Sequence, residues 1–138
     1  MIIKAIYDLL IATPAITALL PTYNFGEVKA AIFTIDPVPK DASLPAIVIS
    51  QSGGIRWGTR AKKGGEADVT ITIWDDKKRT WKALREIAWL VWITCERASL
   101  TIDGYEEVGC LANLPRQLVD TDGFPGYIID LMVRFIQE

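Results

Sequence analysis

The chain has 138 residues, half of them apolar, with five Trp, no histidine, and 15 basic residues against 17 acidic ones. A net charge of −2 gives no overall field to attract nucleic acid or an anionic membrane, so any basic function must be local. The apolar content excludes a disordered tail, and no apolar run reaches the about 18 residues of a membrane-spanning helix; the chain reads as a soluble protein with room for one domain over residues 1–138.

At the N-terminus Ile2, Ile3, Ile6, Leu9 and Leu10 share one helical face. Asp8 interrupts the apolar segment, so this stretch is expected to belong to the fold and not to a signal peptide. Thr13-Pro14 restarts the chain as a short second helical piece that ends near Leu20-Pro21, because Pro is tolerated at a first helical position. Val28 to Ile35 predicts a strand, closed by Asp36-Pro37-Val38-Pro39. After Pro45, the run AIVIS predicts a second strand whose continuous apolar character suits a position covered on both faces.

The Gly-rich segment Ser52 to Glu66 reads as a long mobile loop or a loosely paired hairpin tip. Arg56, Arg60, Lys62 and Lys63 surround Trp57, which combines cations with a stacking ring, as a contact to single-stranded nucleic acid requires. The rest of the chain supplies no second basic patch. A loop that orders against a protein neighbour is therefore the favoured reading, and nucleic-acid binding the alternative.

Asp68 to Trp74 alternates as a strand and passes through DDKKR into a long helix. With Thr80 as N-cap, Trp81, Leu84, Ile87, Ala88, Val91, Trp92, Cys95 and Ala98 fall within one arc, the ordinary core face. Trp89, Leu90 and Ile93 fall outside it, among Lys82, Arg85, Glu86 and Arg97. Another part of the chain or a neighbouring subunit should cover them, and the sequence leaves the two readings level.

Beyond the helix, Asp103-Gly104 predicts a turn, Glu106 to Leu111 a strand, and Asn113-Leu114-Pro115 a break before Gln117 to Val119. Asp120-Thr121-Asp122-Gly123 then turns into a last strand, where Tyr127, Ile129, Leu131, Val133 and Phe135 alternate with Asp130 and Arg134. The element order predicts an α+β fold: an antiparallel or mixed β-sheet packed against an N-terminal helix and one long central helix.

The absence of histidine removes Ser-His-Asp and Cys-His arrangements and most zinc sites. Asp75 and Asp76 are adjacent, so their side chains diverge, and they read as a helix-opening turn. Asp120 to Gly123 lacks the remaining ligands of a calcium loop, and the glycines of residues 53–65 do not form a phosphate loop. Cys95 and Cys110 form no CxxC motif; they read as two reduced thiols in an intracellular setting, with a disulfide between them left open. No catalytic residue, cofactor or metal is expected, and an enzyme would need an accessible, low-pKa thiol.

The N-terminal helix, LPAIVIS after a Pro-rich approach, the Gly-rich basic segment, VTITIWDDKKRTW running into ALREIAWLVWITCE, and LVDTDGFPGYIIDLMVRF together resemble the small tail-completion proteins of long-tailed bacteriophages. That family includes tail terminators and head-to-tail joining proteins. DDKKR stands where the family has a small or Gly-rich turn. The resemblance implies a non-enzymatic structural virion protein of the tail or neck region, assembled in the host cytoplasm. It further implies a homo-oligomeric ring, a hexamer, at the head-proximal end of the tail, which ends tube growth and joins tail to head. The implied partners are the tail tube protein and the head connector protein, with DNA passing through the channel without specific binding and no membrane partner. A closed ring needs two unlike patches per subunit. Trp89, Leu90 and Ile93 are the candidates for one, and a strand edge or the segment carrying Arg56, Trp57, Arg60, Lys62 and Lys63 for the other.

Overall fold

In a computed structural model, the described residues are 2–34, 43–58, 63–76, 81–102, 104–119 and 123–137. Helix α1 (Ile2–Ile11) buries Ile6 and Leu10, one turn apart on the predicted face. Helix α2 (Pro14–Thr17) opens with Pro at its first position and buries Ile16. The Thr13 hydroxyl donates to the Leu9 carbonyl at 2.9 Å, which ties the junction between the two helices to the end of the first.

The predicted strand from Val28 to Ile35 is instead two short strands. Strand β2 (Val28–Ala30) pairs with β1 (Thr22–Asn24), which the sequence reading did not contain, as an antiparallel hairpin. Phe25-Gly26-Glu27 makes the turn: the Asn24 side chain accepts from the Gly26 N–H at 2.9 Å, and Gly26 takes a φ of +103°, accessible because it lacks Cβ. Strand β3 (Ile32–Phe33) joins the main sheet, while Ile35 lies outside the described residues.

The main sheet runs in the order β3, β4 (Ala46–Gly58), β5 (Lys63–Trp74), β8 (Pro125–Gln137), β6 (Tyr105–Ala112), with β7 (Arg116–Val119) also paired to β8. The β3–β4 pair is parallel and the others antiparallel, so of the two predicted kinds the sheet is the mixed one. Ser52 to Gly58 and Lys63 to Glu66 are hydrogen-bonded strand, with Gly54 opposite Ala67 and Gly58 opposite Lys63. The hairpin form is therefore the one the backbone adopts over these residues. Lys63 to Glu66 is backed by β8 from Gly64 onward.

Period-two alternation sorts the sheet into two faces. Ile47, Ile49, Val69, Ile71, Ile73, Ile129, Leu131 and Val133 form one core with Ile6, Leu10 and Ile16 and with Leu84, Ile87, Ala88, Val91 and Cys95 of helix α3 (Trp81–Cys95). Each such aliphatic side chain contributes about 1.5–3 kcal/mol by burial. The other face carries a smaller cluster, Ala31, Phe33, Ala46 and Val48, under Tyr23 and Trp74. There the Trp74 ring lies over Gly126, its cross-strand partner, so close that a Cβ on Gly126 would stand 2.8 Å from the ring. Past this cluster the face is polar, with Arg134 bridging to Glu66 at 2.7 Å and Arg116 to Asp130 at 2.8 Å.

Helix α3 ends at Cys95, and Arg97 adopts a left-handed φ of 56°. That turn sends residues 98–100 along the outer edge of β6. Cys110 N–H donates to Ala98 C=O, and Leu100 N–H to Val108 C=O at 2.9 Å. Thr80, the expected N-cap, lies outside the described residues, as do Lys77 to Arg79 and Asp120 to Asp122.

Candidate subunit interface

Helix α3 lies along β8 and inclines toward the β6–β7 side. Arg85 Nε donates to the Tyr127 hydroxyl at 3.3 Å, and Gln117 of β7 reaches the same oxygen at 3.2 Å. Two turns further on, Trp92 Nε1–H donates to the Ala112 carbonyl at 3.3 Å. The Ala112 N–H donates in turn to Glu96 Oε2 at 3.1 Å. Trp92 is thus half-buried at the rim of the predicted core face, where its indole N–H needs a partner.

Trp89 and Ile93 lie on this flank, 39% and 64% exposed. Leu90, the third residue outside the core arc, is half-buried and packs against the core of its own chain. Leu114 and Val119, at 61% and 57% exposed, follow on the chain that leaves β6 and forms β7. Trp89 and Ile93, one helical turn apart, form an apolar ridge that no described element of the chain covers.

The opposite side of the sheet carries a recess. A groove of about 780 Å3 is lined by Ile3 and Tyr7 of α1, by Phe25, and by Ile32 and Phe33 of β3, with Lys4, Asp8, Lys29 and Thr34 around them. Tyr23, Phe25 and Phe33 form a cluster of edge-to-face and tilted rings 5.0–5.2 Å apart, which holds Phe25 at the rim although it is 44% exposed. Val28 is 70% exposed nearby. Lys4 pairs with Asp8 at 2.9 Å and Lys29 with Glu27 at 2.8 Å. The hydrogen bond from Lys29 holds the Glu27 carboxyl below its ordinary pKa, and Glu27 raises that of Lys29. The sequence reading missed this side; its one signal was the Asn-Phe-Gly turn between Tyr23 and Val28.

The basic segment lies apart from the ridge. Arg56 and Trp57 stand in β4 opposite Gly65 and Gly64, Lys63 opens β5, and Arg60 and Lys62 lie outside the described residues. Cys95 and Cys110 are both buried free thiols. Burial, with a smaller contribution from the charge of Cys110, pushes Cys95 up to about 12; burial and the nearby Glu96 push Cys110 up to about 11. Neither is a nucleophilic thiolate near neutral pH. Among the described residues no three His, Cys, Asp or Glu side chains group as metal ligands.

The described residues form a small α+β fold with exposed apolar side chains on two sides of it. Over residues 4–138 the chain matches the family described as Tail completion protein gp17, and it belongs to that family. It is a structural protein of the phage virion, placed in the tail region. A chain of the structure described as "Virion of native gene transfer agent (GTA) particle" shares the fold, with a TM-score of 0.72 at 17% identity over 97% of this chain and 93% of that one. Comparison with curated protein sequences finds no match.

Proposed function

We propose that the chain closes into a ring, a hexamer, at the head-proximal end of the phage tail. There it ends growth of the tail tube and joins the tail to the head connector, with DNA passing through the channel. The observation that supports this reading is the pair of unlike apolar surfaces: the ridge of Trp89 and Ile93 on the β6–β7 side, and the recess beside Phe25 on the β3–β4 side. A heterologous contact between unlike patches closes into a ring when its rotation divides a full turn. The basic segment with Arg56, Trp57, Arg60, Lys62 and Lys63 meets neighbouring subunits or the connector and becomes protected as they dock.

Native mass spectrometry and electron microscopy of the purified chain, alone and with its tail tube, test the reading. A closed six-membered ring that caps tubes and stops their elongation is the expected result. A chain that neither closes nor caps refutes it. Hydrogen exchange tests the basic segment: the amides of Ser52 to Glu66 should exchange faster in the free subunit than in the assembly.

A further inference from the structure

The ridge and the groove lie toward opposite edges of the sheet. Gln117, Tyr127, Ile73, Ile47 and Ile32 form one registered row across β7, β8, β5, β4 and β3. At one end of that row Arg85, bonded to Tyr127, begins the ridge; at the other, Ile32 lines the groove. Trp89 follows Arg85 by about one helical turn. A rotation that brings one edge of the sheet against the opposite edge of the next copy therefore brings the ridge to the groove.

Resting on the ring reading, we infer that the occupant of the groove is a second copy of this chain, and that Trp89 and Ile93 of that copy seat between α1 and β3 against Ile3, Tyr7 and Phe25. The chemistry of both sides fits. The ridge offers an indole and a branched aliphatic chain, and the groove an aromatic rim over an aliphatic floor. Charges of both signs flank each: Arg85, Glu86 and Arg97 beside the ridge, Lys4, Asp8 and Lys29 beside the groove. The groove's own ion pairs are exposed, so their partners can exchange at little cost.

A mixing experiment on the full chain tests this. Trp89→Asp removes the ridge and leaves the groove. Phe25→Asp removes the groove and leaves the ridge; Lys4→Trp, at a side chain 78% exposed, blocks the groove without touching the core. Circular dichroism confirms that each variant folds. Each variant alone should run as a monomer in native mass spectrometry. A ridge variant mixed with a groove variant should form a discrete particle of two chains and no larger one, because only one good contact remains between them.

Rings that survive both Phe25→Asp and Lys4→Trp would overturn the inference while leaving the ring itself standing, and so would a mixture that stays monomeric. A wild-type chain that stops at two copies would overturn the ring reading, and one that stays monomeric at millimolar concentration would overturn both.

Discussion

The indole of Trp89 meets that of Trp92 edge to face, with centroids 5.4 Å apart and planes at 75°. One ring belongs to the subunit's own fold and the other lies open on its flank. Trp92 is fixed from below by the Ala112 carbonyl, and it fixes Trp89 from the side, so the exposed indole is held in place within the chain's own fold. Such preorganisation lowers the ordering cost of association.

The first prediction follows from that division. Trp92→Ala should destabilise the monomer, by less than the about 3–5 kcal/mol of a fully buried aromatic because Trp92 is only half-buried. Trp89→Asp should cost no more than about 1 kcal/mol in the monomer and abolish assembly. Urea titration and native mass spectrometry on the two variants separate the effects.

A second prediction contrasts two glycines of the sheet. Gly126→Ala places a methyl 2.8 Å from the Trp74 ring and 3.0 Å from the Ile73 carbonyl, and overpacking of that kind costs about 1–3 kcal/mol. At Gly109 a Cβ meets nothing within 4 Å, so Gly109→Ala should be neutral or stabilise by up to about 1 kcal/mol. Thermal denaturation of the pair checks the ordering.

Burial of the two thiols predicts a pH dependence. Their folded pKa values, about 12 and about 11, lie above the ordinary 9.0, so above pH 9 the unfolded chain releases protons that the folded chain retains. Their stabilising contribution is complete below pH 9 and is lost as pH rises through about 11 and 12, with a slope near 1.4 kcal/mol per pH unit for each thiol. Cys95→Ala should flatten the loss of stability above pH 9 in denaturant titrations. At pH 8 the native thiols should resist alkylation that proceeds on unfolding.

The basic segment yields a fourth. The parent chain should bind DNA weakly, and replacing Arg56, Arg60, Lys62 and Lys63 with Ser should leave that affinity weak and chiefly impair docking to the tail tube. For a duplex binder engaging all four cations, the same change would lower the log–log salt slope by about 3.6. Tight, salt-steep binding that disappears in the variant, with docking intact, would favour the nucleic-acid alternative.

Local sequence determined α1, the strand runs at AIVIS and VTITI, the long helix, the last strand, and the separation of Trp89 and Ile93 from the core arc. Each follows from a periodicity of 2 or 3.6 that a single element imposes on its own side chains. The tertiary structure decided the rest. It divided the predicted strand, because Val28–Ala30 found its hydrogen-bonding partner in Thr22–Asn24 and Ile32–Phe33 in Ile47–Val48, partners that no local pattern names. It turned Leu90 inward and half-buried Trp92, since the angle at which α3 meets the sheet depends on its neighbours. It ended the helix at Cys95, with Arg97 beyond it in a left-handed conformation that no glycine announces, because the edge of β6 offered hydrogen bonds to the chain that follows. The groove was illegible for the same reason: Ile3, Tyr7, Phe25 and Ile32 come from three separate elements, and only the packing of α1 against β3 and the β1–β2 hairpin brings them to one surface.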